Sequence, residues 1–227
     1  MRIFSIGDLH LSLSMEKPMD LFGDVWRDHP QKLRTAWKET VHEDDWVLIP
    51  GDISWAMNLD AALLDLLFLG ELPGKKLILR GNHDYWWSSH AKMLSVLPRG
   101  VFALQNDSIC LGDITVCGTR GWSCPGTIGF SETDQKIYNR ELKRLEFSLK
   151  TADSDANILL MLHFPPFNER KQDSGFTELI ECYNVKIVVY AHLHGVAQKS
   201  IFEGERNETR YIFVASDYLN FKPKLIV

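Results

Sequence analysis

Five short apolar runs, each breaking off into residues that bind metals or move protons, set the rhythm of the chain. Arg2-Ile3-Phe4-Ser5-Ile6-Gly7 runs into Asp8-Leu9-His10, and Trp46-Val47-Leu48-Ile49-Pro50-Gly51 runs into Asp52. Leu77-Ile78-Leu79-Arg80-Gly81 gives way to Asn82-His83-Asp84, Ile158-Leu159-Leu160-Met161-Leu162 to His163, and Ile187-Val188-Val189-Tyr190-Ala191 to His192-Leu193-His194. Apolar runs of this length predict strands buried on both faces, and in parallel sheets reactive groups collect beyond the carboxyl ends of the strands.

Helical spacing fills the intervals. Leu33, Ala36, Trp37 and Val41 share a face within 31–41, and Asn58 caps a pattern of Leu59, Ala62, Leu63, Leu66 and Leu67 that stops at Gly70. Ser88 or Ser89 can cap a short helix before Pro98. Short runs at 101–104, 108–111 and 113–117, separated by Asn106-Asp107 and Gly112-Asp113, predict strands joined by tight turns. The longest helical pattern, 131–150, carries so many charges that much of it should be solvated, and another helix is predicted over 176–183. The runs 198–202 and 210–215 predict a hairpin around the charged stretch 203–208. Two polar stretches, 11–30 and 118–130, lack periodicity and predict surface loops that can wall a pocket.

At 227 residues, 45% hydrophobic and 24% charged, the chain suits one soluble globular domain covering 1–227. No apolar run approaches the roughly 18 residues a membrane span requires. The first strand begins at Arg2 and leaves no room for a secretory signal, so a cytoplasmic location is expected. A net charge of -5 argues against a broad nucleic-acid or anionic-membrane surface. Cys110, Cys117, Cys124 and Cys182 show no C-x-x-C spacing and are expected to be buried free thiols.

The ordered series D-x-H, G-D, G-N-H-D, H and H-x-H, from Asp8 to His194, resembles the calcineurin-like metallophosphoesterase superfamily. The departure is Ala191, where the family usually has Gly. The resemblance implies an α/β fold, a four-layer α/β/β/α sandwich of two mixed sheets flanked by helices. It implies a dinuclear centre in which Asp8, His10 and His194 complete one metal's shell and Asn82, His163 and His192 the other's, with Asp52 bridging. Carboxylate and imidazole ligands without thiolates suit two divalent or trivalent ions such as Mn, Fe, Zn or Co. His83 is implied as phosphate binder or general acid, with Asp84 accepting its ring N–H. His29, His42 and His90 stand outside the series and are expected to be structural or solvated.

Phosphate recognition favours guanidinium groups, which makes Arg120 and Arg80 candidates for substrate binding, with Arg170 and Lys171 behind them. Trp86 and Trp87 could stack on a base or aromatic leaving group, or pack in the core. The implied activity is metal-dependent hydrolysis of a phosphorylated small molecule or nucleotide, by a phosphodiesterase or broad phosphohydrolase. Protein phosphatases of the family read G-D-x-x-D-R-G, and here Trp55 and Ala56 replace the Asp and the Arg, which disfavours that alternative. Phosphomonoester hydrolysis stays open. A non-catalytic scaffold would be expected to have lost ligands, and all seven are present.

Overall fold

The structure, a computed structural model, describes residues 1–15, 17–153 and 155–227, so residue 16 of the expected 11–30 loop lies outside it. The chain divides into two compact units, one of residues 1–103 and 214–227, the other of residues 104–213.

The first unit is built on β1 (Ile3–Ser5), β2 (Trp46–Pro50), β3 (Lys75–Leu79), β4 (Val101–Ala103) and β11 (Lys224–Leu225), in the order β11-β1-β2-β3-β4. The first four are parallel, and β11 pairs antiparallel with β1. Every residue of β2 is buried, as an unbroken apolar run predicts for a central strand. Helices α1 (His29–Thr40), α2 (Leu59–Gly70) and α3 (His90–Leu94) flank this sheet. Leu33 and Trp37 of α1 and Ala62, Leu66 and Leu69 of α2 pack into one core with Val47, Ile49 and Ile78 of the strands. The Asn58 cap is as expected, its side chain accepting from the Ala61 amide at 3.0 Å. Leu67, expected on the inner face, is exposed; Asp65, which receives the Leu13 amide and the Ser54 hydroxyl, takes an inward position instead.

The second unit carries β5 (Ser108–Leu111), β6 (Ile114–Thr119), β7 (Asn157–Leu162), β8 (Ile187–Tyr190), β9 (Gly204–Arg206) and β10 (Thr209–Phe213), ordered β5-β6-β7-β8-β10-β9. Its sheet is also mixed, with parallel pairs in the middle and antiparallel pairs at both edges. Helices α4 (Glu132–Lys150) and α5 (Gly175–Cys182) flank it, each opened by a serine capping box. The fold is therefore α/β, with two mixed sheets flanked by helices, as the resemblance implies.

The expected hairpin needs correction. The hairpin near the end of this unit is shorter: residues 195–200 form a 3₁₀ helix, and the strands are β9 and β10. Asn207 and Glu208 both adopt left-handed backbone (φ 49° and 63°), making a two-residue turn whose twist matches that of the strands, so the turn falls inside the charged stretch. Much of helix α4 is solvated, as its charges suggest, while its inner face is buried. Tyr138, Leu145 and Leu149 are buried, and so is Glu141, because Arg120, Arg144 and Thr119 converge on its carboxylate.

Among the cysteines, Cys117 and Cys124 are buried and burial pushes their thiols up to about 12, whereas Cys110 and Cys182 are exposed, contrary to expectation. Cys110 lies on an edge strand and Cys182 on the last turn of a short helix, positions that face solvent. Among the described residues no helix is long and apolar enough to cross a membrane.

Candidate metal centre

In the first unit, the loops after β1, β2 and β3 are tied into one block. Main-chain bonds run from Asp8 N to Gly51 O at 3.0 Å, His10 N to Asp52 O at 2.9 Å and Leu11 N to Ile53 O at 2.9 Å, so the first two loops continue the strand pairing. Ser216 closes the other side, its amide and hydroxyl both donating to Gly7 O. Along this stretch Asp8 (φ 53°), His10 (φ 46°) and Asp52 (φ 51°) all adopt left-handed backbone. Non-glycine residues hold such conformations at a cost of order 1–3 kcal/mol each, and do so where surrounding structure dictates it, commonly at functional sites. Asp8, His10 and Asp52 are nearly or fully buried.

His10 Nε2 lies 3.8 Å from Asp52 Oδ2. That is too long for a hydrogen bond, yet within the roughly 3–4 Å separating two donors that each sit about 2.1 Å from one ion. Asp52 Oδ1 accepts the His83 amide at 2.8 Å, which brings the loop after β3 against the bridging candidate. Gly81 makes this approach possible: a Cβ there would lie 2.1 Å from Asp52 Oδ1 and 2.3 Å from Asp52 N. The glycine of G-N-H-D is a matter of clearance around the carboxylate.

Asp84 is fully buried and locks two loops together. Its Oδ1 accepts from Ile53 N at 2.9 Å, Ser54 N at 3.2 Å and Trp86 Nε1 at 2.9 Å, and its Oδ2 from Gly81 N at 2.7 Å. Burial, then the charge of Asp52, push its carboxyl upward, while the amide donors pull the other way. Every group facing it donates, so the arrangement is built for a carboxylate. This corrects the expected role: Asp84 serves the main chain, and the His83 ring is not among its donors. The His83 ring instead lies 4.5 Å from Trp55 and 5.8 Å from His10, centroid to centroid. Asn82 and His83 are half-buried, compatible with ligation or substrate contact.

In the second unit, β7 leads to His163 and β8 to His192 and His194. His163 Nε2 and His192 Nδ1 face each other at 3.2 Å, and Ala191 N donates to His163 O at 3.1 Å. Two imidazole nitrogens at that spacing suit one shared ion as well as one shared proton. The left-handed residue at this strand end is His192 (φ 75°), one place beyond Ala191, so a methyl group is tolerated where the family has Gly. His194 is half-buried and precedes the 3₁₀ helix. Beside His192 lies a cavity lined by Ser123, Thr127, Phe164, Phe167 and Asn168; the Phe164 and His192 rings are 3.8 Å apart.

Of the substrate-binding candidates, Trp86 is overturned: it is 2% exposed, belongs to the core and spends its indole N–H on Asp84. Trp87 is buried too. Arg120 reaches Glu141 at 3.2 Å and lies over the Trp122 ring at 4.6 Å. Arg80 is half-buried, with a buried Nε lacking a hydrogen-bond partner, and Arg170 and Lys171 are exposed. His29 is structural, its ring nitrogens facing Trp26 O and His10 O at 3.1 and 3.2 Å. His42 is exposed and His90 opens α3. Sequence reasoning missed Trp55, whose ring stacks on His10 at 4.8 Å; its position in the loop directly after Asp52 was the available signal.

The family described as calcineurin-like phosphoesterase matches residues 1–196. Gene 66 protein of Mycobacterium phage L5 is 32% identical over 78 residues, a match that covers 34% of this chain and 37% of that protein. Among solved structures, phosphopantetheinyl hydrolase from Mycobacterium tuberculosis aligns over 100% of this chain and 95% of its own, with a TM-score of 0.58 and 14% identity. A protein of unknown function from Aquifex aeolicus, AQ665, covers 99% and 95% with a TM-score of 0.54 and 16% identity. At these identities the two structures speak for the fold alone.

Proposed function

Because the chain belongs to the calcineurin-like phosphoesterase family, we propose that it hydrolyses phosphate esters at a dinuclear metal centre, the two units acting as one domain over 1–227. Asp8, His10 and His194 serve one ion, Asn82, His163 and His192 the other, and Asp52 bridges. The observation that carries this reading is the His10 and Asp52 pair, buried, strained and spaced for an ion. The donor set fits Mn, Fe, Zn or Co. When bound, such ions lower the pKa of a coordinated water and clamp the phosphoryl group.

The chain's own residues supply the rest. Asp52, held through the His83 amide and the Gly81 clearance, fixes where the ions lie. Asp84 is a positioning residue that keeps the G-N-H-D loop against the loop after β2. His83, half-buried and not committed to Asp84, can carry the proton for the departing alkoxide. The mixed apolar and polar cavity beside His192 can receive the organic part of a small phosphorylated molecule or nucleotide. Arg120 and Arg80 remain candidates for phosphate contact. A phosphodiesterase or broad phosphohydrolase is favoured over a protein phosphatase, since Trp55 and Ala56 replace that motif's acid and guanidinium.

The acid role of His83 is tested by leaving group. General acid catalysis contributes on the order of 10²–10⁴-fold and matters most for basic alkoxides. His83→Ala should keep both metals, lose much of its rate on alkyl esters and lose less on nitrophenyl esters. Equal losses would point to phosphate binding by the imidazole and refute proton donation.

A further inference from the structure

On the indole of Trp55, the ring that packs against His10 and His83, lies a cation that the ligand series does not include. Trp55 stacks on His10 with ring centroids 4.8 Å apart and planes at 22°, and tilts against His83 at 4.5 Å. The Lys17 ammonium sits 3.0 Å from the centre of that same indole. Met19, two residues on, takes the Trp55 Nε1–H on its sulfur at 3.0 Å. Leu13, on the other side of Lys17, donates its amide to buried Asp65 at 2.9 Å, and the Ser12 hydroxyl donates to Lys17 O at 3.2 Å. Met19 and Lys17 are thus held against Trp55, and Ser12 and Leu13 are fastened to Lys17 and Asp65.

The manner of holding matters. A lysine beside a carboxylate has its charge cancelled, and a phosphate must compete with the acid for it. An aromatic face holds an ammonium by the ring quadrupole, at about 0.5–1 kcal/mol when exposed, and leaves its net charge and strong donors for an incoming anion. The Lys17 ammonium faces a ring, and among the described residues no carboxylate pairs with it. Partial burial lowers its pKa, consistent with a cation held out of bulk water.

We propose that Lys17, carried on the Trp55 ring, is a substrate-binding residue that places a positive charge on a phosphoryl oxygen of the bound ester. The inference rests on the phosphoesterase reading and adds a residue outside its motifs. Because the contribution is a charge, it should favour dianionic phosphate over a monoanionic diester.

Calorimetric titration of the metal-loaded protein with inorganic phosphate tests this without requiring turnover. Lys17→Met should weaken phosphate binding about ten-fold or more, the loss of one charge-assisted contact, with metal content and melting temperature unchanged. Lys17→Arg should stay close to wild type. Affinity of the wild type should fall with added salt more steeply than that of Lys17→Met. Unchanged phosphate affinity in Lys17→Met, an equal loss in Lys17→Arg, or loss of metal in Lys17→Met would each overturn the proposal, as would a wild-type protein that binds no phosphate. A wild type that binds phosphate but turns over no ester would instead sink the phosphoesterase reading and leave Lys17 as an anion-binding residue.

Discussion

The two units deliver their candidate ligands in different ways. In the first, two successive strand ends are cross-bonded through their main chains and the third is tied to them by the Asp52 and Asp84 carboxylates, with three candidate ligands held in left-handed backbone. In the second, His163 is buried but His192 and His194 are half-buried, and His194 leads into an exposed 3₁₀ helix. Carboxylates that must stand close to two cations need a rigid mounting, because their mutual repulsion is relieved only when the ions are in place. Neutral imidazoles carry no such cost and can be presented on a looser frame. The first unit thus reads as the more rigidly mounted set of candidate ligands, and the second as the less buried one.

Substitutions can break this contrast. Gly81→Ala should have the largest effect, since its Cβ would intrude to 2.3 Å from the Asp52 main-chain nitrogen, which cannot yield, as well as to 2.1 Å from Asp52 Oδ1. Crowding of this kind costs typically 1–3 kcal/mol, and a displacement near 1 Å at a reacting centre about 10²-fold in rate. His192→Ala in the second unit should leave thermal stability nearly unchanged while weakening one metal site. Comparable losses of melting temperature in the two variants would erase the proposed difference.

Next in size is a matched pair of buried carboxylates. Asp84→Asn turns an acceptor for four donors into a group that must itself donate, and should destabilise by about 1–3 kcal/mol while weakening metal binding. Glu141→Gln disturbs an equally buried acid, with Arg120, Arg144 and Thr119 as partners, and should cost about 1–3 kcal/mol with both metals retained. Metal content together with denaturant midpoints separates the two. Metal loss in Glu141→Gln would show that the second unit is as tightly coupled to the ligands as the first.

How much of this was legible in the sequence differs by level. The ordered ligand series and the strands before it were readable because parallel strands buried on both faces are unbroken apolar runs. The cap at Asn58 was readable because its chemistry is local. What escaped depended on contacts between residues distant in sequence. Trp86 as core rather than stacking surface, Asp84 as a main-chain anchor and Glu141 as a buried acid on a highly charged helix each depend on partners 20 or more positions away or on packing that periodicity does not encode. The shifted hairpin turn was missed because Asn207-Glu208 is a weaker left-handed signal than Asn-Gly.

The smallest effect concerns Lys76, 1% exposed, whose ammonium donates to Leu72 O and Gly74 O and whose pKa burial lowers from 10.5 to about 8. A group depressed on folding binds more protons in the unfolded chain between those values. Its contribution to stability therefore rises with pH across about 8 to 10.5, by on the order of 1 kcal/mol or more. Unfolding free energies of wild type and Lys76→Met, measured at several pH values, should differ in slope over that window. Parallel curves would contradict the assignment.

The central claim is that catalysis resides in two ions bridged by Asp52. Elemental analysis coupled to turnover of a chromogenic phosphodiester, on wild type and Asp52→Asn before and after chelation, tests it most directly. The account predicts two metals per chain and measurable turnover in wild type, loss of both on chelation with recovery on adding Mn or Co, and an Asp52→Asn protein depleted of most metal and nearly all activity. Full activity in protein shown to be metal-free, or two metals retained at native affinity in Asp52→Asn, would contradict it.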